Sequence, residues 1–333
     1  MKEAVTLVFD RYTLALILTV ILATLLPCRG QAAGVFEIVT NLAIALLFFL
    51  HGAKLSREAV IAGLTNWRLH LLVLACTFVL FPLLGTLTRS LVTGIVGTQL
   101  ALGILFLCTL PSTVQSSIAF TSIAHGNVSA AVCAASASSL LGIFITPLLV
   151  GVLIHTNMGS AGPAPIGAIR SIVLQLFVPF VAGQVARPWL GGFIDRHRKL
   201  VGFVDRGSIL LVVYTAFSAA VVAGLWQQIS LRTLLLLLVL CCVLLAIALL
   251  VTSQLGKRLG FSREDRITIL FCGSKKSLAS GVPMANVLFA GQAVGAIVLP
   301  LMLFHQVQLM VCAVLAQRYA RQAAAATVTD GLR

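Results

Sequence analysis

The feature that most constrains this sequence is a succession of long apolar runs. Ten can be marked, at about 12–28, 35–53, 67–89, 98–124, 127–155, 166–187, 207–227, 232–255, 266–289 and 292–317. A helix of about 20 apolar residues crosses the hydrocarbon core of a bilayer. Backbone groups in lipid must be satisfied inside a helix or a closed barrel. The runs lack the two-residue alternation that barrel strands require. An all-α, polytopic protein of ten transmembrane helices is therefore expected, with the lipid bilayer as its surroundings.

Composition points the same way. Of 333 residues, 59% are hydrophobic and 10% charged, where a soluble domain carries about 25% charged residues. That leaves too few charges for a water-facing surface and argues against a soluble enzyme. The net charge of +14 does not call for nucleic acid, because short loops collect Lys and Arg on the cytoplasmic side of membrane proteins. Seven of the eight cysteines lie inside apolar runs and none shows CxxC spacing. They read as small buried hydrophobes rather than a disulfide framework or zinc site. The first apolar run, with Lys2 and Arg11 before it, has the look of a signal peptide; the many runs that follow favour an uncleaved first helix.

Loop charges set the orientation. With the N-terminus inside, the inward loops and tails hold 17 Lys and Arg, and the outward side holds 4: Arg29, Arg89, Arg170 and Arg232. This asymmetry places both termini in the cytoplasm of an inner (plasma) membrane protein. Lys275 and Lys276 belong to no loop.

The chain also resembles itself at an offset near 160. Gln115–Ala119 corresponds to Lys275–Ala279, Asn127-Val128 to Asn286-Val287, and Ile145–Leu148 to Val298–Leu301. Two five-helix repeats follow, at about 8–157 and 166–320. Five is odd, so the second copy begins on the opposite side and the repeat is inverted, as in many transporters.

Two segments carry unusual polarity. In segment 4, Pro111 is followed by Ser112, Thr113, Gln115, Ser116 and Ser117. Proline removes a helical hydrogen bond and clashes with the preceding turn, so a broken helix facing a cavity is expected, against a plain kink packed through small residues. Segment 9 holds Gly273-Ser274-Lys275-Lys276-Ser277. Lys275 lies nine residues after Arg266, or about 13 Å along a helix, near the middle of the bilayer. Intramembrane charge reads by default as function; snorkelling is the alternative. Segment 5 opens with Asn127 and carries Ser136, Ser138 and Ser139, of which Ser136 and Ser139 share a face. Segment 10 contributes His305, Gln306 and Gln308, and a buried His can relay protons. No carboxylate falls in a segment core, and no phosphate loop, HExxH or GxSxG motif is present.

Three stretches carry a family resemblance: Leu47–Leu55, Ala124–Val128 and Phe271–Leu278. Through them, about residues 8 to 320 resemble the bile acid:sodium symporter family, in its divergent bacterial cotransporter-like branch. The resemblance implies a panel from 12–53 and 166–227, a core from 67–155 and 232–317, and broken helices 4 and 9 crossing near substrate and sodium sites. It implies a secondary active transporter, not an enzyme, moving a small or amphipathic organic anion by alternating access. The family's Ser-Asn pair falls on Ser116 and Ser117, its Gly-Asn on Gly126 and Asn127, and a glutamine of segment 3 on Thr77. Two hydroxyl ligands fall on Ala131 and Ala135, with Ser136 adjacent. The sodium-ligating glutamate falls on Phe271, and the following glutamine and asparagine fall on Lys275 and Lys276.

The candidate substrate or ion site is thus Thr77, Gln115, Ser116, Ser117, Asn127, Ser136, Ser139, Lys275, Lys276, Ser277 and His305. No cofactor is expected. Sodium could sit at Ser116, Ser117 and Asn127, but Lys275 would compete for its pocket; a proton carried by a lysine or His305 could replace it. A fold-retaining regulator or scaffold is the rival reading. A channel fits less well, because polar clusters occur only near the midplane. Arg198→Cys is expected to react with an impermeant maleimide only from the cytoplasmic face; labelling in intact cells would reverse the orientation.

Overall fold

The computed structural model describes residues 11–54, 66–154, 173–290, 292 and 294–330. Lys2, Arg57, Arg170 and Arg333 of the charge count lie outside them, as does the start of segment 6. Among the described residues there is no strand. Helix α1 is Arg11–Leu25 and α2 is Gln31–Lys54. Helix α3 runs Trp67–Val96 and contains one π-helical turn, Cys76–Leu80. There follow α4 (Thr98–Thr109), α5 (Gln115–Ile123), α6 (Val128–Leu153) and α7 (Val178–Arg196), the last entered through a π turn at Val173–Phe177. The chain continues with α8 (Arg198–Val222), α9 (Leu231–Arg258), α10 (Arg263–Gly273), α11 (Leu278–Leu288) and α12 (Val294–Asp330).

Six helices are individually long and apolar enough to cross a membrane: α2, α3, α6, α8, α9 and α12. The other elements fall on the remaining four apolar runs. Helices α4 and α5 divide one run, and α10 and α11 divide another. Leu87, Trp189 and Phe203 are each more than three-quarters exposed. Such outward apolar side chains would drive aggregation in water and form an ordinary surface in lipid.

Helix ends depart from the hydropathy boundaries. Helix α8 begins at Arg198, nine residues before the apolar run, and only His197 separates it from α7. The basic residues between the sixth and seventh apolar runs, Arg187, Arg196, Arg198, Lys199 and Arg206, therefore lie within helices α7 and α8. Hydropathy marks the depth of lipid, whereas backbone hydrogen bonding continues the helix into the polar interface.

Helix α7 lies along α2, and α8 packs on both α1 and α2. Hydrogen bonds from Tyr214 Oη to the Leu26 carbonyl (2.7 Å) and between Thr40 and Thr215 (2.8 Å) tie α8 down. Helix α4 packs on α3 and α12, while α10 packs on α3, α5, α6 and α9. Helix α8 also touches α11 and α12.

Two glycines set the α2–α7 distance. A Cβ on Gly52 would collide with the Phe180 carbonyl, and one on Gly183 with the Phe49 carbonyl. Gly52→Val is therefore expected to lower stability by about 1–3 kcal/mol, the usual cost of overpacking. Gly34→Ala, on the same helix with open space around it, should hold or raise stability, since alanine is the better helix former. Thermal unfolding in detergent checks both.

Candidate functional site

The site grows from backbone groups that two prolines leave unpaired. In the π turn of α3, the Phe81 N–H bonds to Cys76 O, five residues back. The Thr77 carbonyl thereby loses its i+4 donor, and its i+5 residue is Pro82, which has no N–H. In segment 4, Cys108 faces the same problem. Its i+3 residue is Pro111, and its i+4 donor, Ser112 N–H, is diverted to Ser138 Oγ (3.0 Å). Leu110 is already extended (φ −75°, ψ 154°), which turns its carbonyl out of the helical ladder.

All three orphaned carbonyls converge on one ammonium group. Lys276 Nζ donates to Leu110 O at 2.7 Å, Thr77 O at 2.8 Å and Cys108 O at 3.1 Å. An ammonium has three donors, so each is used. Nζ also lies 4.2 Å from the centroid of the Phe81 ring, a cation–π contact. The lysine main chain is clamped as well: Lys276 N–H donates to Gln308 Oε1 and Gln308 Nε2 donates to Lys276 O, both at 2.9 Å. Gln308 is positioned in turn by His305 Nδ1, 2.9 Å from its Nε2.

Lys275 is equally inaccessible but differently partnered. Among the described residues its hydrogen-bond acceptor is Ser116 Oγ, at a long 3.4 Å. The rings of Phe120 and Phe271 lie 4.3 and 5.5 Å away. Donor capacity is thus left on Lys275 that Lys276 lacks.

The two interruptions hold each other. Ser277 N–H donates to Pro111 O (2.9 Å). The last carbonyls of α10 receive hydroxyls from the other break: Ser112 Oγ donates to Cys272 O (2.6 Å) and Ser117 Oγ to Phe271 O (3.0 Å). Ser274 Oγ satisfies Leu270 O at 2.6 Å. At the start of α11, Ser277 Oγ accepts from Ser280 N–H, an N-cap bond. Thr113 links to both Ser116 and Ser117, at 2.8 and 3.0 Å. The helix ends buried here are capped by side chains of their own segment and of the opposite one.

The structure brings together Thr77, Ser116, Ser117, Lys275, Lys276 and Ser277, with His305 one step behind Gln308. Thr77 contributes its carbonyl, since its own hydroxyl bonds back to Val73 O (2.8 Å). Gln115 is exposed at the start of α5. Asn127 is employed elsewhere: it caps α6 through Ala130 N–H (3.0 Å) and donates to Asp265 Oδ1 (2.9 Å). Ser136 and Ser139 are half-buried, and it is Ser138 between them that reaches the break. Sequence reasoning did not select Ser112, Ser138, Gln308 or the carbonyls of Cys108 and Leu110. The available signal for the carbonyls was the proline spacing, since Pro82 and Pro111 mark the acceptors that lose donors.

Apolar outer surfaces, helices long enough to span a bilayer and a buried polar junction between two interrupted helices define a polytopic membrane protein. The chain belongs to the SBF-like CPA transporter family, whose model matches residues 10–321. It is 66% identical over 313 residues to the protein named "Uncharacterized protein PA2026" of Pseudomonas aeruginosa, covering 94% of this chain and 93% of the relative. It is 56% identical over 315 residues to "Putative symporter YfeH" of Escherichia coli, covering 95% and 94%. Identity to sodium/bile acid cotransporter 7 of Danio rerio is 29% over 311 residues, covering 91% of each chain. The family resemblance read from the sequence holds, and the chain is a symporter-like membrane transporter.

Lys276→Met is expected to leave three buried carbonyls without a donor, each costing about 1–3 kcal/mol. A stability loss of about 3 kcal/mol or more should appear in detergent unfolding. An unchanged unfolding midpoint would show that these carbonyls do not depend on the ammonium.

Proposed function

We propose that this protein is a secondary active transporter of a small or amphipathic organic anion across the inner membrane, and that it works without a bound sodium ion. The proposed frame is ten transmembrane segments in two inverted repeats, 8–157 and 166–320. A panel from 12–53 and 166–227 rocks against a core from 67–155 and 232–317, both termini lying in the cytoplasm. Packing supports this division: α1, α2, α7 and α8 adhere to one another, and α3 to α6 pack with α9 to α12. Breaks at corresponding places in segments 4 and 9, and their direct hydrogen bonds, support the repeat and the crossing.

The observation that carries sodium independence is the seat of Lys276. Three backbone carbonyls at 2.7–3.1 Å form an oxygen cage of the sort that holds a hard cation, and a tethered ammonium fills it. Its charge does the electrostatic work of an ion at the crossing. The sequence reading gave that place to Lys275; the cage geometry favours Lys276. The Ser116, Ser117 and Asn127 set gives sodium little support as an alternative, because Asn127 is spent on capping and on Asp265.

Lys275 is the proposed anion-binding cation. It has unused donors beside the half-buried Ser116, whose chain neighbour Gln115 is exposed. Helix α11 starts at Leu278 and adds the positive end of its dipole. A proton carried through Lys275 or His305 is the coupling ion proposed if a gradient drives the cycle.

Purified protein in proteoliposomes, offered a mixture of small and amphipathic carboxylates, should show saturable uptake that persists without a sodium gradient. Lys275→Gln should reduce uptake about tenfold or more, the scale of a lost hydrogen bond to a charged group. A strict sodium requirement that survives Lys276→Gln would overturn the tethered-cation reading. Absence of saturable flux for every carboxylate would favour a regulator or scaffold.

A further inference from the structure

Away from the crossing, α9, α10 and α12 border an open cavity of about 360 Å³. Lys257, Arg263, Arg266 and Arg318, drawn from three helices, line it, and among the described residues no carboxylate does. The positive-inside bias explains why basic residues gather at this end of the bundle. It does not explain why four of them surround one concavity.

Local structure keeps the cations directed there. Arg263, Arg266, Ile267 and Leu270 recur at the three- and four-residue spacing of one helix face. Asp265 and Thr268 look the other way, each hydrogen-bonded to Asn127 at the start of α6. Of the two carboxylates in this turn, Asp265 is thus occupied on the opposite side, and Glu264, exposed, is not among the residues lining the cavity. Two arginines are also held in place. Arg263 Nη2 donates to the Tyr319 carbonyl at 3.2 Å. Arg266 lies against Gly256, where a Cβ would stand 3.2 Å from its Cγ. Beneath the cations, Ile267, Leu270 and Leu315 supply an apolar lining.

We propose that this cavity is a binding site for a phosphate oxyanion, presented by an acidic phospholipid headgroup or by a soluble phosphate. Guanidinium groups match phosphate oxygens through paired hydrogen bonds, and basic pockets between membrane helices suit lipid headgroups. Cations at the mouth over an apolar lining fit the boundary between a headgroup and its chains. This site is separate from the lysine pair and does not rest on the transport reading.

The test is thermal protection of the purified, delipidated protein by phosphatidylglycerol, phosphatidylcholine, inorganic phosphate and chloride, each titrated separately. Phosphatidylglycerol or inorganic phosphate should protect at concentrations where phosphatidylcholine and chloride do not. Protection by the lipid alone assigns a headgroup site; protection by inorganic phosphate assigns a soluble ligand. Lys257→Gln and Arg318→Gln alter exposed side chains and should each weaken the protecting ligand about fivefold. Arg266→Lys keeps the charge and removes the planar fork, so it should weaken binding severalfold in a protein with an unaltered number of charges. Equal protection by all four additives, or wild-type affinity in the Lys257→Gln/Arg318→Gln double variant, would overturn the site.

Discussion

The ammonium of Lys276 holds the centre of this molecule together. A charge at the middle of a membrane protein is expensive, and so are carbonyls cut off from their helical donors. Each cost cancels much of the other here, because three orphaned carbonyls from α3 and the end of α4 converge on one group with three N–H donors. Breaking the pair from either side would leave a buried charge or several buried acceptors unpaired. The interruptions in segments 4 and 9 depend on this arrangement, since non-helical backbone at membrane depth must find partners within the protein.

Around that anchor the two breaks exchange partners. Hydroxyls of Ser112 and Ser117 cap the end of α10, while Pro111 O receives the Ser277 N–H. Neither segment could bury its ends alone. The junction therefore has to form as a unit, and any change at one break is felt at the other. Lys275 is next to this junction without being consumed by it, and a residue that retains donor capacity beside a rigid scaffold is well placed to meet a ligand.

Glycine contacts give the remaining parts a different character. Helices α2 and α7 approach so closely that backbone meets backbone at Gly52 and Gly183. Where lipid supplies no hydrophobic drive between helices, such close packing is what holds them. The α1, α2, α7 and α8 group is accordingly joined by packing and a few hydroxyl bonds. The group containing the breaks is joined by a dense polar network.

The all-helical architecture was legible in the sequence, because hydropathy reports directly on burial in lipid. The apolar runs fixed the helices, and Pro111 with its following hydroxyls, like the paired lysines, marked where helices break. What the sequence could not decide was which lysine did what. Lys275 and Lys276 are neighbours of identical chemistry, and only the direction of each side chain separates a caged ammonium from one with donors to spare. Asn127 looked like an ion ligand until the fold set Asp265 beside it, and Ser138 was hidden among serines of equal promise. Those roles arise from contacts between residues distant in sequence, 26 positions apart for Ser112 and Ser138 and 199 for Lys276 and Thr77. Tertiary structure alone brings such groups within hydrogen-bonding distance.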